Sequence, residues 1–441
     1  MLNFFTDSVL RGPTIGCMLM AMAASIVGVI AFLRKRSLVG EALSHATYPG
    51  VILAVMLGAI WMPENDSALS LLILLGAFIS ALLGLFIIDA LEKYLKVPAD
   101  SALCLILSAF FGIGLTVASH IQFTHTTEYK QSLIYLYGQA ATMTDIHILI
   151  YGLLALLISF AVIIFYKELQ IVNFDNVYAR SLKIPTRLIN VLTFFLIVLA
   201  VVIGIRSVGV VLMSAMLIAP AVAARQLTHK LSHMLWIAAA IGLISGFLGN
   251  VFSVELSQYY SKDLPGRALS LPTGPMIVIV STALCLLALL FAPERGLIIR
   301  LCRVLFFRHV CFRENLLKYF WRQGEGSTFT MSQIRQAQDS GRVYIFLVVC
   351  GLINDGWLIK KNGLYKLTRD GYLRSAHIVR LHRLWEVYLA DYLGVGAERV
   401  HRNADEMEHI ITPELEKQLI HLLQDPKMDP HQQPIPPREL I

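Results

Sequence analysis

Charge is scarce in this chain. Of its 441 residues only 15% are Asp, Glu, Lys or Arg, while 56% are hydrophobic. That balance excludes an ordinary globular protein, because apolar runs recur over most of the length. No Gly-x-x-x-x-Gly-Lys-Ser/Thr phosphate loop occurs anywhere, so the chain is not expected to hydrolyse ATP alone. The six cysteines, at 17, 104, 285, 302, 311 and 350, lack paired spacing, and four lie in or beside apolar segments. They read as small buried hydrophobes, not as a disulfide or zinc framework. A cleavable secretory signal is not expected either. The first apolar run, Thr14–Leu33, is long and closes on Arg34-Lys35-Arg36, as a retained span does.

What the chain does have is length in its apolar runs. About 20 residues of helix cross a hydrocarbon layer. By that measure about nine spans are predicted: Thr14–Leu33, Ala42–Trp61, Ala68–Ala90, Leu103–Val117, Ile146–Phe165, Leu188–Ile205, Val208–Ala224, Met234–Val254 and Pro275–Ala292. One set of loops holds Arg34, Lys35, Arg36, Lys93, Lys96, Lys167, Arg180, Lys183, Arg187, Arg225 and Lys230. The opposite set holds mainly Lys130, Arg206, Lys262 and Arg267. The positive-inside rule assigns the first set to the cytoplasm, the N-terminus to the outside and the polar region after Arg313 to the cytoplasm. Gly242, Gly246 and Gly249 form a small-residue stripe suited to close helix approach. Pro220 is expected to kink or break the Val208–Ala224 run, as broken helices that line cavities do. Plain bundle packing accounts for the glycines as well as transport does.

Inside these runs ionisable groups are rare and informative. The stretch SLVGEALSHATYPGVIL puts Glu41 and His45 four residues apart, on one face of a helix. Carboxylate oxygen plus imidazole nitrogen suits Mn²⁺, Fe²⁺ or Zn²⁺, and the missing thiolate argues against Cu⁺. Two ligands make a weak site, from which an ion can leave again. The plainer reading makes Glu41 a solvated first-turn acid.

After the last run the composition changes. ERGLIIRLCRVLFFRHVCFR, Glu294 to Arg313, alternates arginines with large apolar residues. It reads as an amphipathic helix lying on anionic headgroups, with a site where the soluble part is cut free as the other reading. Beyond it, Thr330 is placed to cap a helix to Gln338, Asp339-Ser340-Gly341 to turn, and a second helix to run to about Asn354. Two short strands around Lys361-Asn362-Gly363 complete a winged helix-turn-helix pattern. Arg335, Arg342, Lys360, Lys361, Lys366 and Arg369 are candidate phosphate contacts. The helix expected to enter a groove, VYIFLVVCGLIN, offers few groups that hydrogen-bond a base edge. A helical hairpin is the plainer alternative.

The last segment is rich in metal-type donors. His382 and Glu386 stand at i and i+4, while His401, Asp405, Glu408 and His409 stand at i, i+4, i+7 and i+8 on one helical face. Solvated faces favour Lys and Glu; this set of imidazoles and carboxylates suits six-coordinate Mn²⁺ or Fe²⁺, or Zn²⁺ with fewer ligands.

Four segments carry a resemblance. GEALSHATYPG, LYGQAATMTD, YARSLKIPTR and VGVVLMSAMLIAPAVAARQL resemble the ABC permeases that import zinc, manganese or iron, over nearly all of residues 1–293. In that family Asp usually occupies the Glu41 position. The resemblance implies a separate ABC ATPase subunit, docked on Tyr178, Ala179, Arg180, Ser181 and Lys183, where Gly is common at the Lys183 position. It also implies a periplasmic metal-binding protein, a second permease chain as homo- or heterodimer, and a bacterial cytoplasmic (inner) membrane. VRLHRLWE, VHRNADEMEH and PHQQPIP resemble the diphtheria-toxin-repressor family of metal-activated repressors, over roughly Glu314 to Pro437. That resemblance implies one metal site from His382, Glu386 and His401, and another from Asp405, Glu408 and His409. Asp at 405, where Cys or Glu is common, leans towards manganese or iron. Family members also place a ligand on the first helix, where this chain offers Glu314 and Asn315.

The expected fold is thus an all-α polytopic membrane bundle over 1–293 and a basic amphipathic linker over 294–313. A cytoplasmic α+β winged helix-turn-helix follows over 314–375, then a helical metal-binding and dimerisation domain over 376–441. The expected function is the permease subunit of a divalent-metal importer fused to a metal-dependent DNA-binding repressor. Two rivals stand beside it: a cytosolic metal-sensing valve that regulates transport without binding DNA, and a membrane-anchored regulator that no longer transports.

Overall fold

Wherever an apolar run stretches for about 20 residues, the chain forms a helix. The computed structural model describes residues 3–34, 38–61, 66–123, 126–262, 271–337, 340–394, 404 and 407–437. They fall into two units, Met1–Arg300 and Leu301–Ile441.

Among its described residues the first unit is built of helices, with no strand. After α1 (Asn3–Thr6) come α2 (Ser8–Leu33), α3 (Leu38–Trp61), α4 (Asp66–Lys93), α5 (Ala99–Ile121) and α6 (Thr126–Tyr137). Next are α7 (Asp145–Ile164), the short α8 (Tyr166–Phe174) and α9 (Asn176–Ser181), α10 (Thr186–Gly204), α11 (Met213–Leu227), α12 (Leu231–Lys262) and α13 (Thr273–Phe291). Eight of these are long and apolar enough to cross a membrane: α2, α3, α4, α5, α7, α10, α12 and α13. Three of them form the interior. In α2, α3 and α10, 67%, 78% and 61% of the apolar window is buried, against 28% in α4 and α7. On α4 the exposed residues Leu71, Leu75, Ile79, Leu83 and Phe86 follow a helical stripe, the pattern of a face solvated by hydrocarbon.

The glycine stripe of α12 does what its spacing suggests. A Cβ at Gly242 or Gly246 would come within 2.5 Å of Ala21 O and 2.7 Å of Cys17 O on α2, and at Gly249 within 2.5 Å of Ile277 Cα on α13. Thr14 accepts a buried 2.7 Å hydrogen bond from Asn250 across the α2–α12 contact.

The ninth apolar run differs from expectation. α11 passes through Pro220, and the interruption lies before it, between Ile205 and Leu212. At 15 residues α11 spans roughly 22 Å, short of a hydrocarbon core of about 30 Å. The irregular stretch finds its hydrogen bonds in a second irregular stretch: Gln139 N donates to Arg206 O at 2.9 Å and Val210 N to Tyr135 O at 3.0 Å. Gly138 and Gly209, both with positive φ, make the approach possible. Buried irregular backbone is stable only where such partners satisfy it.

The second unit begins inside α14 (Leu297–Arg322). The basic apolar stretch and the residues after it are therefore one helix. Its first half leaves Leu297, Leu301, Leu305 and Phe306 exposed, and its second half buries Leu316, Leu317 and Phe320. These three pack with residues of α15 (Met331–Gln336), α16 (Arg342–Asn354) and the strands β1 (Leu358–Lys361) and β2 (Leu364–Leu367). Thr330 caps α15 in a capping box with Gln333. α15 ends at Gln336; the expected end at Gln338 lies outside the described residues. The strands pair antiparallel, Leu358 with Leu367 and Lys361 with Leu364. Asn362 and Gly363 turn between them with φ of 50° and 78°, as a two-residue hairpin requires. Helix α17 (Arg369–Asp391), capped by Thr368, and α18 (Pro413–Leu422), capped by Thr412, complete the unit.

Candidate metal sites

The Glu41–His45 pair sits at the start of α3, an interior helix. Glu41 is half-buried and His45 is buried. Ser44 and Thr47 turn their hydroxyls back onto Gly40 O and Ser44 O, at 2.6 and 2.5 Å. The imidazole has no such outlet. Its ring lies edge-on to Phe111 at 4.5 Å, and its buried Nδ1 makes no hydrogen bond. Pro49, inside the helix, has no N–H to donate to the His45 carbonyl four residues back. A carboxylate, an unbonded ring nitrogen and a carbonyl oxygen deprived of its helical donor thus share one turn of helix. Nitrogen and oxygen donors of this kind suit a divalent transition ion.

A second polar group in this unit escaped sequence reasoning, which used Arg206 only as a topological charge. Arg206 donates to Ser70 Oγ at 3.1 Å and Tyr135 OH at 3.5 Å, at the seam between the two irregular stretches. Arg11 pairs with Asp145, the first residue of α7, at an exposed position.

The loop expected to meet an ATPase is built from α8, α9 and the turn after them. Asp175 ends one helix and caps the next, accepting from Tyr178 N at 2.9 Å. Ala179 is buried, while Phe174, Val177, Tyr178 and Leu182 are exposed, an apolar ridge on an otherwise polar turn. Arg180 and Ser181 lie on α9, and Lys183 follows in the left-handed region at φ 57°. That is the conformation glycine adopts without strain.

In the second unit the donor cluster closes around α14, α17 and residues 407–410. The ring nitrogens of His382 donate to Glu386 Oε1 at 3.1 Å and Glu408 Oε2 at 2.5 Å. Burial works against charge on this imidazole, but Glu386 and Glu408 outweigh it and raise its pKa above the ordinary histidine value. His409 Nδ1 donates to Glu314 Oε2 at 2.7 Å. Its buried Nε2 makes no hydrogen bond and stands 3.5 Å from Glu408 Oε1. A carboxylate behind one ring nitrogen and an open nitrogen in front is how proteins orient a metal-ligating histidine. Imidazole nitrogen and carboxylate oxygen are donor types that a divalent transition ion accepts. Burial also disfavours the Glu314 carboxylate, yet the His409 hydrogen bond and the Arg374 guanidinium, 2.6 Å away, hold its pKa below the usual range. Glu314, on the first helix, thus supports His409. Asn315 takes no part in these contacts.

One member of the cluster was not anticipated. Lys318 Nζ donates to both Glu408 oxygens, at 2.7 and 3.0 Å, with the lysine side chain 7% exposed and the glutamate fully buried. Nothing in the local sequence marks this lysine, because its partner is 90 residues away. His401 and Asp405 lie outside the described residues. Among the described residues, no three His, Cys, Asp or Glu side chains stand ready as a ligand set.

The candidate DNA contacts Arg335, Arg342, Lys360 and Lys361 are all exposed. Lys360 lies over the Tyr365 ring at 5.6 Å. Between them α16 presents Val343, Phe346 and Leu347 to solvent.

Comparison with known proteins agrees with both halves. Residues 6–292 match the family model described as ABC 3 transport family. Residues 368–437 match that described as iron dependent repressor, metal binding and dimerisation domain. A Chlamydia trachomatis protein named "Probable metal transport system membrane protein" is 34% identical over 445 residues, 98% of this chain and 97% of that one. The manganese transport system membrane protein MntC of Bacillus subtilis is 34% identical over 379 residues, 85% of this chain and 82% of that one. The solved structure of PsaBC from Streptococcus pneumoniae in complex with Fab is similar with a TM-score of 0.56 and 25% identity, covering 67% of this chain and 96% of that chain.

Proposed function

Because the chain belongs to the ABC 3 transport family, we propose that its first unit passes a divalent transition metal across the bacterial cytoplasmic membrane and its second unit represses transcription when the same metal accumulates. The observation that carries the transport half is the buried, unbonded Nδ1 of His45, one turn from Glu41. A buried polar atom left without a partner costs about 1–3 kcal/mol. Such a cost is explained when an ion visits the atom.

In this reading Glu41 and His45 take manganese, iron or zinc in passage. The Tyr178–Lys183 turn receives a separate ATPase, since the chain has no phosphate loop of its own. A periplasmic metal-binding protein delivers the ion and a second permease chain completes the pore. With the irregular 205–212 stretch and α11 together making one crossing, the basic loops face the cytoplasm, as does the second unit. There His382, Glu386, His401, Asp405, Glu408 and His409 bind metal, and Arg335, Arg342, Lys360 and Lys361 meet DNA phosphates.

Two measurements test the halves separately. Mn²⁺, Fe²⁺ and Zn²⁺ uptake in cells carrying Glu41→Ala or His45→Ala should collapse; unchanged uptake removes these residues from the path. Gel shifts with the fragment from Leu301 onward, which has its own core, should appear only with metal. Metal binding without any shift would leave a valve that acts on transport alone.

A further inference from the structure

The Lys318–Glu408 pair has no use in a site whose purpose is to hold a cation supplied from outside. Glu408 is the hub of the cluster. Its oxygens accept from Lys318 at 2.7 and 3.0 Å and from His382 at 2.5 Å, and His409 Nε2 waits 3.5 Å away. Lys318 and Glu408 are both nearly closed to solvent. A lone ammonium or a lone carboxylate in such a place is strongly unfavourable; each is tolerable because the other is there. A doubly charged ion on Glu408 needs the same oxygens, and in a weakly screened interior it repels an ammonium a few ångströms away. Ion and lysine cannot both hold Glu408.

We propose that Lys318 is a tethered competitor for the sensor metal. Its ammonium occupies Glu408 while metal is scarce, and the ion binds only by displacing it. This rests on the sensor reading above and adds how that site is set: the competitor lowers affinity, so the site answers to abundance instead of scavenging traces. Displacement also has a mechanical outlet. Lys318 belongs to the half of α14 whose Leu316, Leu317 and Phe320 pack with Ile345, Val348 and Val349 of α16. Moving the lysine off Glu408 therefore disturbs the packing that seats α16.

The test uses the full chain in detergent, with Glu41→Ala and His45→Ala present so that the path does not contribute, titrated with Mn²⁺ alone against a competing fluorescent chelator. Lys318→Met, of similar length and uncharged, should bind Mn²⁺ at least about tenfold more tightly. Lys318→Arg, which keeps the charge, should not. Without metal the Lys318→Met protein should unfold at lower temperature than its parent, and Mn²⁺ should reverse the difference. A lysine with only a packing role would lower the melting temperature with and without Mn²⁺ and leave the affinity unchanged. That result overturns the proposal. If Lys318→Met does not fold, Lys318→Gln carries the same expectation. Folding of either variant only in Mn²⁺ supports the proposal, and failure of both even in Mn²⁺ overturns it. Parent and variants all failing to bind Mn²⁺ would defeat the sensor reading itself. A parent that binds, with a Lys318→Met variant that binds no better, defeats this inference alone.

Discussion

The two metal-type sites of this chain treat charge in opposite ways. At the start of α3, Glu41 and His45 stand with an aromatic edge, an unbonded ring nitrogen and no cation among their described contacts. In the second unit each described carboxylate of the cluster already meets a positive or proton-donating partner: Lys318 and His382 on Glu408, His382 on Glu386, Arg374 and His409 on Glu314. A conduit gains from leaving its donors open, since an ion that binds weakly also leaves. A sensor gains from donors that are occupied until the ion is plentiful. In the proposed reading the same two side-chain types serve both tasks, and what surrounds them makes the difference.

The comparison breaks first if the open site is idle. Glu41→Ala or His45→Ala should cut ion accumulation by at least about tenfold in vesicles containing the reconstituted importer, whereas Glu41→Asp should preserve most of it. Next in size is the occupied site. Glu408→Ala strands the Lys318 ammonium in a buried place, and about 3–5 kcal/mol should be lost from the metal-free second unit, measured by denaturant unfolding of the fragment from Leu301. A smaller effect tests the turn after α9. Lys183→Gly removes a non-glycine residue at φ 57° and should stabilise the first unit by about 1 kcal/mol, read as a higher melting temperature in detergent.

The smallest effect depends on pH. His377 is half-buried, its Nδ1 unbonded and Glu416 3.9 Å from its Nε2, and burial lowers its pKa below the ordinary histidine value. The folded state then resists a proton that the unfolded chain accepts. Stability of the second unit should fall as pH drops through the ordinary histidine range and below it. His377→Gln should lose this component, seen as a shallower slope of unfolding midpoint against pH from about 7 to 5.

Local features were legible in the sequence, and contacts between distant residues were not. Thr330 announces a helix cap because the backbone N–H it accepts from, that of Gln333, lies within one turn. Asn362-Gly363 announces a hairpin because only such residues accept two successive positive φ values. The apolar runs gave the long helices, and the Glu41–His45 spacing gave one shared face. Pro220 misled, because proline is visible in a sequence while the pairing of 206–210 with 135–139, which interrupts the run, is not. Lys318 and Arg374 look like ordinary basic residues of amphipathic helices. Only the folded chain brings Lys318 to Glu408 and Arg374 to Glu314.

That pairing of two irregular strips also bears on how the polypeptide is assembled. Tyr135 and Arg206 are 71 residues apart, so a ribosome adding about 5–20 residues per second needs roughly 4–14 s to make the second strip after the first. During that wait the backbone near Gly138 lacks the partner that the folded chain gives it. This contact is therefore one of the later closures of the first unit, made only after the helices between the two stretches have been synthesised.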